Sequence, residues 1–365
     1  YNGGSSIWSP KGEKLVQAPV VPPETLAPGL AGIFATTIVP AEADAERTAQ
    51  LARRRSDLYV PLLALHRSPT DGNATTSVRS VALSAAQWPD GPSLLSSARP
   101  EAGELLVLPE LSALPSGLSA ADIKAKAEAR EGAFEQALSA AAKAGSGFVV
   151  GSYPEREGDK IYHTVLLAGP TGTVLGRYRA THLSAATAAW ASAGDEPVVI
   201  DTPLGRIGLA TGEELRVPEL GGLYGALRAD ILAAPAGRPE PLKVQIDAKL
   251  FAVNDPPTGR ADFFPYASAK QNQLWLVSGG RRVGNATAAG IYGPEPVVDT
   301  PTLTAAAGES VVRYRTRVPA PGTWINQQQL IAGQQSLLFV PLVMKDDSDC
   351  LKQWRTQGTG APSCR

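Results

Sequence analysis

Cysteine and histidine are scarce in this chain, and their scarcity limits the chemistry that it can support. The 365 residues include two cysteines, Cys350 and Cys364, and three histidines, His66, His163 and His182. The cysteines lie in a polar C-terminal segment with no histidine nearby, and the histidines show no spacing typical of metal ligands. We therefore predict no metal, no cofactor and no catalytic role for either cysteine.

Long apolar runs and an excess of charge of one sign are also missing. No uninterrupted apolar run approaches the ~20 residues that a membrane-spanning helix needs. The formal net charge is −1, which gives no support for nucleic acid or an anionic membrane as a partner. We expect a soluble, cytoplasmic protein, whereas a disulfide between Cys350 and Cys364 would indicate an oxidising, exported compartment.

The residues that are present predict an α/β protein with ample core. Hydrophobic residues make up 43% of the chain, which is ordinary for a globular protein. Residues 105–108 form an apolar run that suits a strand covered on both faces. The alanine-rich stretch 120–144 predicts one long helix. Residues 161–178 predict a hairpin, so strands and helices alternate.

An internal repeat predicts a tandem organisation. Ser56-Asp-Leu-Tyr-Val-Pro-Leu-Leu63 recurs as Ser336-Leu-Leu-Phe-Val-Pro-Leu-Val343, roughly 280 residues later. The simplest account is that the chain holds the end of one copy followed by a whole second copy. The predicted boundaries are 1–68 for the tail of a first copy, 69–77 for a linker, 78–345 for the second copy and 346–365 for a polar tail.

One stretch, residues 198–219, organises the second copy. It predicts two strands joined by a turn at residues 203–205, followed by a bend into a helix. Gly212 stands at the bend, where we expect glycine to permit a backbone geometry that a side chain would penalise. Glu213 and Glu214 follow at the helix start, where negative charge is favourable. Hydrolases often present a nucleophile at such a bend, but this one carries no side chain.

These residues resemble the nitrilase superfamily, the carbon–nitrogen hydrolases. The family places a cysteine between two segments that this chain keeps, Gly205-Arg-Ile-Gly-Leu209 and Arg216-Val-Pro-Glu219. A further similar segment is Ser278-Gly-Gly-Arg-Arg-Val-Gly284. The resemblance implies a four-layer α-β-β-α sandwich over the second copy. It also implies association with a protein partner or a second copy through a helical face.

The resemblance places the three catalytic positions of the family on Glu110, Ala180 and Gly212. The family uses a carboxylate as general base, a lysine that stabilises the oxyanion and a cysteine nucleophile. Glu110, within Leu108-Pro-Glu-Leu-Ser112, retains the base. Ala180, within Tyr178-Arg-Ala-Thr-His-Leu183, replaces the lysine, and Gly212 replaces the cysteine. We therefore predict that the second copy is catalytically inactive.

The remaining residues of the motifs are expected to line what is left of the pocket. They are Tyr178, His182, Glu213 and Glu214, with His182 acting mainly in packing and hydrogen bonding. Glu110 is either an inherited residue bonded to backbone or water, or a carboxylate that binds a ligand N–H.

Three functions follow from this interpretation. The first is a structural or assembly subunit whose partner is the missing body of the first copy. The second is the regulatory half of an amidase or nitrilase whose active copy lies upstream. The third is a binding module for a small amide or carboxylic acid.

Overall fold

The computed structural model describes residues 6–9, 14–17, 35–63, 77–89, 98–237, 263–283, 286–287, 289–294, 302–304, 309–319 and 327–344. The described residues up to Arg54 belong to one compact unit and those from Arg55 onwards to another. Cys350, Cys364, His66 and nearly all of the predicted linker and C-terminal tail lie outside the described residues.

The strands and helices alternate through most of the chain. The strands are β1 Ser6–Trp8, β2 Lys14–Gln17, β3 Arg79–Pro89, β4 Glu104–Val107, β5 Phe148–Glu157, β6 Lys160–Ala168, β7 Val174–Arg179, β8 Val198–Thr202, β9 Gly205–Leu209, β10 Ile231–Ala233, β11 Trp275–Ser278, β12 Gly280–Val283, β13 Ala286–Thr287, β14 Gly290–Tyr292, β15 Thr302–Thr304 and β16 Val311–Val318. The helices are α1 Asp44–Ala52, α2 Ala120–Ala125, α3 Ala133–Gly145, α4 Ala185–Ala188, α5 Pro218–Ala226, α6 Phe263–Asn272, α7 Gln327–Ala332 and α8 Val340–Val343.

Two sheets dominate the second unit. One has the strand order β15-β14-β11-β10-β9-β8. The other has the order β13-β12-β3-β4-β5-β6-β7, with β16 paired antiparallel to β3. Within these sheets β3, β4 and β5 are parallel, and so are β9, β10 and β11. The first unit contains the β1–β2 hairpin and α1.

Three hydrophobic clusters divide the second unit into layers. The cluster between the sheets includes Leu83, Leu105, Leu209 and Trp275, all buried. Alternation along β9 places Ile207 and Leu209 together in this cluster, as the sequence predicted. The outer face of the larger sheet packs against α3, and that of the smaller sheet packs against α5 and α6. The predicted four-layer sandwich is therefore confirmed.

The long helix predicted for residues 120–144 is wrong, because the chain forms two helices there. Between α2 and α3, Glu128 joins the edge of β5: its N–H donates to Pro154 O at 3.0 Å, and its carbonyl accepts from Arg156 N at 2.7 Å. Glu131 then has φ +62°, a left-handed conformation that no helix continues through. Pairing with the sheet outweighs the helix propensity of this stretch.

None of the helices in the described ranges is both long and apolar enough to cross a membrane.

We expect Leu105→Ala to destabilise the second unit by about 2–5 kcal/mol, because it leaves a cavity between the two sheets. Leu175→Ala, at a side chain that is 41% exposed on β7, should change the free energy of unfolding by less than about 0.5 kcal/mol. Urea denaturation of both variants measures the difference. Equal effects at the two positions would contradict the assignment of Leu105 to the inter-sheet core.

Candidate functional site

The candidate site lies where parallel strands of both sheets end. Binding sites of open α/β sheets occur outside the carboxyl ends of parallel strands. The loop after β10 links the loops that follow β4, β9 and β11. Glu110 N donates to Ala236 O at 2.9 Å, Gly212 N to Pro235 O at 2.7 Å, and Ala236 N to Gly279 O at 2.7 Å. Glu110 and Gly212, the predicted base and nucleophile positions, therefore flank one short loop, residues 234–237.

Glu110 is held by its neighbours in a partly exposed position. Its side chain is 22% exposed, and Oε1 lies 3.7 Å from His163 Nδ1. The following residue, Leu111, has φ +45° and donates its N–H to Ser152 Oγ at 2.9 Å. Arg281 fixes the same turn by donating to Leu111 O and Leu114 O. The predicted base position thus keeps its carboxylate at the site.

His163 was not identified from the sequence as a site residue. It is buried on β6, with Nε2 3.3 Å from Ser152 Oγ and its ring beside Trp190. Burial lowers its pKa to about 3, so the ring is neutral near pH 7. The predicted 161–178 hairpin already placed His163 on a strand. Only the fold shows that this strand passes beside Glu110.

Ala180 directly follows β7 and continues its pairing with β6 beside His163. Its N–H donates to His163 O at 2.8 Å, and its carbonyl accepts from Gly194 N at 2.8 Å. The methyl group is buried. Ala180, the predicted lysine position, therefore lies beside His163 and carries only a buried methyl group.

Glu214 is the most extensively bonded side chain of the site. It is fully buried, and Oε1 accepts from Tyr178 OH at 2.6 Å, Thr181 N at 2.8 Å and His182 N at 2.9 Å. Oε2 accepts from Thr211 N at 3.0 Å. Burial raises the pKa of this carboxyl, and the hydrogen bonds partly oppose that shift. Glu214 thus holds the loop that carries Ala180.

The side chains of Glu213 and His182 both make hydrogen-bonding contacts within the protein. Glu213 accepts from Thr187 Oγ1 at 2.8 Å. His182 contacts Thr181 Oγ1 through Nδ1 and Tyr59 OH through Nε2, each at 2.8 Å. Burial is the main cause that lowers the pKa of His182 to about 4. Both ring nitrogens of His182 therefore lie within hydrogen-bonding distance of protein hydroxyl groups.

The sequence analysis explained Gly212 by a backbone geometry that other residues would not adopt, and this explanation is wrong. Its φ of −60° and ψ of −30° lie in the ordinary right-handed helical region, which any residue adopts. Space is the constraint, because a Cβ on Gly212 would lie 2.5 Å from Ala236 Cβ and 2.7 Å from Ala236 Cα. The loop after β10 occupies the volume that a nucleophile side chain would need.

The same loop approaches Glu110 from the other side. A Cβ on Gly237 would lie 2.6 Å from Glu110 Oε2.

Within the described residues, no group of three or more His, Cys, Asp or Glu side chains is arranged to hold a metal ion.

The sequence of this chain is similar to those of known carbon–nitrogen hydrolases. The family model described as carbon-nitrogen hydrolase matches residues 71–249. The chain is 33% identical over 94 residues to the chloroplastic omega-amidase of Arabidopsis thaliana, covering 23% of this chain and 26% of that protein. It is 31% identical over 153 residues to the omega-amidase NIT2 of Homo sapiens, covering 39% of this chain and 55% of that protein. The matches thus span about half or less of these relatives.

Solved structures of low sequence identity share the fold. Nit3 of Saccharomyces cerevisiae, a member of branch 10 of the nitrilase superfamily, aligns with a TM-score of 0.50 at 18% identity, covering 67% of this chain and 92% of that one. An amidase from Nesterenkonia sp. AN1, with an acetamide moiety added at its active-site cysteine, aligns with a TM-score of 0.52 at 15% identity. That alignment covers 71% of this chain and 95% of the amidase.

We expect Gly212→Ala to destabilise the chain by about 1–3 kcal/mol, because its methyl group overlaps Ala236. The matched control is Gly225→Ala in α5, where the nearest neighbours of an added Cβ are 3.8 Å away in Asn272. That change should be neutral or stabilising by up to about 1 kcal/mol. Urea denaturation compares the two, and an unchanged stability of Gly212→Ala would show that the space is free.

The stability of the chain should fall in mild acid because of His163. Its folded pKa of about 3 lies below the ~6.5 of an exposed histidine. The unfolded chain therefore binds the proton first, and stability is lost as the pH falls from 6.5 toward 3. We expect His163→Gln to reduce the slope of unfolding free energy between pH 6 and pH 4 by about 1.4 kcal/mol per pH unit. An unchanged slope in denaturation at several pH values would refute this.

Proposed function

Because the chain carries a carbon–nitrogen hydrolase domain of the nitrilase superfamily, we propose that this domain is catalytically inactive and serves as an assembly subunit. The observation that carries the proposal is the contact between Gly212 and Ala236. The nucleophile position has no side chain, and the 234–237 loop fills the space in front of it.

The reaction of the family cannot proceed with the groups that remain. Acyl transfer needs a nucleophile that forms a covalent intermediate, and Gly212 supplies none. Glu214 is buried and bonded to backbone N–H groups, and Glu213 is bonded to Thr187. Ala180 offers no positive charge to a developing oxyanion, and losing one such donor alone costs ~10²–10³ in rate. Glu110 would then be a base without a thiol to deprotonate.

The retained architecture supports a role in assembly. The two sheets, the helical faces and the hydrogen-bonded loops of the site are all kept, although the reactive groups are not. One fold can host functions other than the chemistry of its relatives. The partner in this proposal is another nitrilase-like body, that of the first copy.

A second candidate is supported by the names of the relatives. Two of them are omega-amidases, so an intact preceding copy would make the longer protein an amidase with this chain as its regulatory half. The binding-module interpretation receives less support, since Ala236 and Gly237 approach both Gly212 and Glu110 and reduce the space for a ligand.

We expect the purified chain to release no ammonia above background from small aliphatic amides or ω-amides. The double variant Gly212→Cys with Ala180→Lys should also be inactive, because Ala236 blocks the new thiol. An omega-amidase relative serves as the positive control for the assay. Turnover by the chain that disappears in Glu110→Gln would overturn the proposal, because it would show that a nucleophile reaches Glu110 from elsewhere.

A further inference from the structure

In the part of the chain that the structure describes, β16 has one edge that pairs with no other strand. β16 lies on the side of β3 away from β4, and among the described strands it pairs with β3 alone. Its register with β3 is unbroken from Val311, opposite Ala86, to Val318, opposite Arg79. Such an edge presents a row of backbone N–H and C=O groups to which another strand can bind.

The backbone groups on this edge include those of three arginines. Gln87 N donates to Ser310 O at 2.7 Å, so these two opposed residues form a hydrogen-bonded pair. In an antiparallel ladder every second residue bonds to the neighbouring strand, and the residues between turn their N–H and C=O groups the other way. Counting from Ser310, the even-numbered residues of β16 bond to β3. The backbone groups of Arg313, Arg315 and Arg317 therefore point to the unpaired edge.

The side chains of the same three arginines lie on the outer face of the larger sheet. Val312 and Tyr314, which alternate with them, pack against the cluster between the two sheets, so the arginines point away from that cluster. All three arginines are exposed. Two residues of a strand span about 7 Å, and this is the spacing between consecutive arginines. Together Arg313, Arg315 and Arg317 form the arginine row.

Two carboxylates hold part of the arginine row in place. Arg313 Nε donates to Glu104 Oε1 at 2.9 Å, and Arg315 Nη2 donates to Glu101 Oε2 at 3.2 Å. Within the described residues these contacts engage one nitrogen of each guanidinium, and no ion pair involves Arg317. Because a guanidinium carries five N–H donors, all three arginines keep donors for the carboxylates of a partner.

We propose that β16 binds an extended acidic segment of a partner protein, which adds antiparallel as a further strand of the larger sheet. The segment carries Asp or Glu at every second position, because residues directly opposite the arginine row have their side chains on the same face. Opposite charges at such positions stabilise strand pairing. The backbone hydrogen bonds supply affinity, and the alternating carboxylates supply specificity. This inference goes beyond the proposed function and stands whether or not the domain is catalytically inactive.

A second copy of this chain is disfavoured as the occupant by the same charges. Antiparallel pairing of two β16 strands about a two-fold axis would set one arginine row against the other. Like charges directly opposite each other are destabilising, and charged side chains on an edge strand oppose self-association. The arginine row thus rejects its own copy and accepts a strand of opposite charge.

Fluorescence anisotropy with a short labelled peptide tests the proposal on the 365-residue chain. The peptide alternates three glutamates with valines, and a second peptide of the same composition has its glutamates adjacent. We expect Arg317→Glu to weaken binding of the alternating peptide about fivefold. Lysine in place of the N-terminal glutamate of the peptide, which lies opposite residue 317, should restore binding to this variant. Arg53→Glu, at an exposed residue after α1, changes the net charge equally and should leave binding unchanged.

Selective N-methylation of the peptide separates strand addition from electrostatic adsorption. In the proposed register the N–H groups of the glutamates face β16, whereas those of the valines face away. We expect methylation of the glutamate nitrogens to weaken binding about tenfold or more. Methylation of the valine nitrogens should have no effect. Arg315→Glu repeats the measurements should Arg317→Glu express poorly.

The possible outcomes each support or overturn the proposal. No binding of the alternating peptide at millimolar concentration overturns it, as does equal affinity for the peptide with adjacent glutamates. Equal effects of the two methylated peptides overturn it as well, because they leave only electrostatic adsorption to the arginines. A dimeric mass by light scattering that Arg317→Glu abolishes also overturns it and makes a second copy the occupant.

Discussion

A single buried carboxylate joins the two sheets at the end where the site lies. Glu214 follows β9 of the smaller sheet, and it accepts backbone N–H groups from Thr181 and His182, which follow β7 of the larger sheet. Its other oxygen accepts from Thr211 on its own loop. Because a buried N–H without an acceptor costs about 1–3 kcal/mol, this side chain helps to fix the loop that carries Ala180, together with the backbone bonds of Ala180 to His163 and Gly194.

Gly212, the predicted nucleophile position, is closely packed against the loop after β10. Gly212 and Ala236 approach so closely that neither loop could accept a larger residue without moving the other. A side chain at residue 212 would require the 234–237 loop to move, and that loop is hydrogen-bonded to the turns after β4, β9 and β11. Inactivity in this proposal is therefore a property of several interlocked loops, and single substitutions at the site do not reverse it.

Much of the fold could be predicted because the strands carry strong local signals. The β8–β9 hairpin, the alternation of Ile207 and Leu209 and the covered strand β4 all follow from residue type and period. The break between α2 and α3 could not, since it depends on Glu128 pairing with a strand that is distant in sequence. The same limit applies to the site. The family resemblance predicted Glu110, Ala180 and Gly212 as site positions, whereas the contact of His163 with Glu110 and the obstruction by Ala236 arise only from tertiary packing.

The packing of residues 56–63 against later parts of the chain also has a consequence for its synthesis on the ribosome. Tyr59 and Leu62 pack against His182 and α5, which are translated more than a hundred residues later. At about 5–20 residues per second, this delay amounts to roughly 6–33 s. During that interval an apolar segment emerges with no surface to cover it. A nascent chain of this design would therefore gain from a chaperone that holds residues 56–63 until the second body has formed.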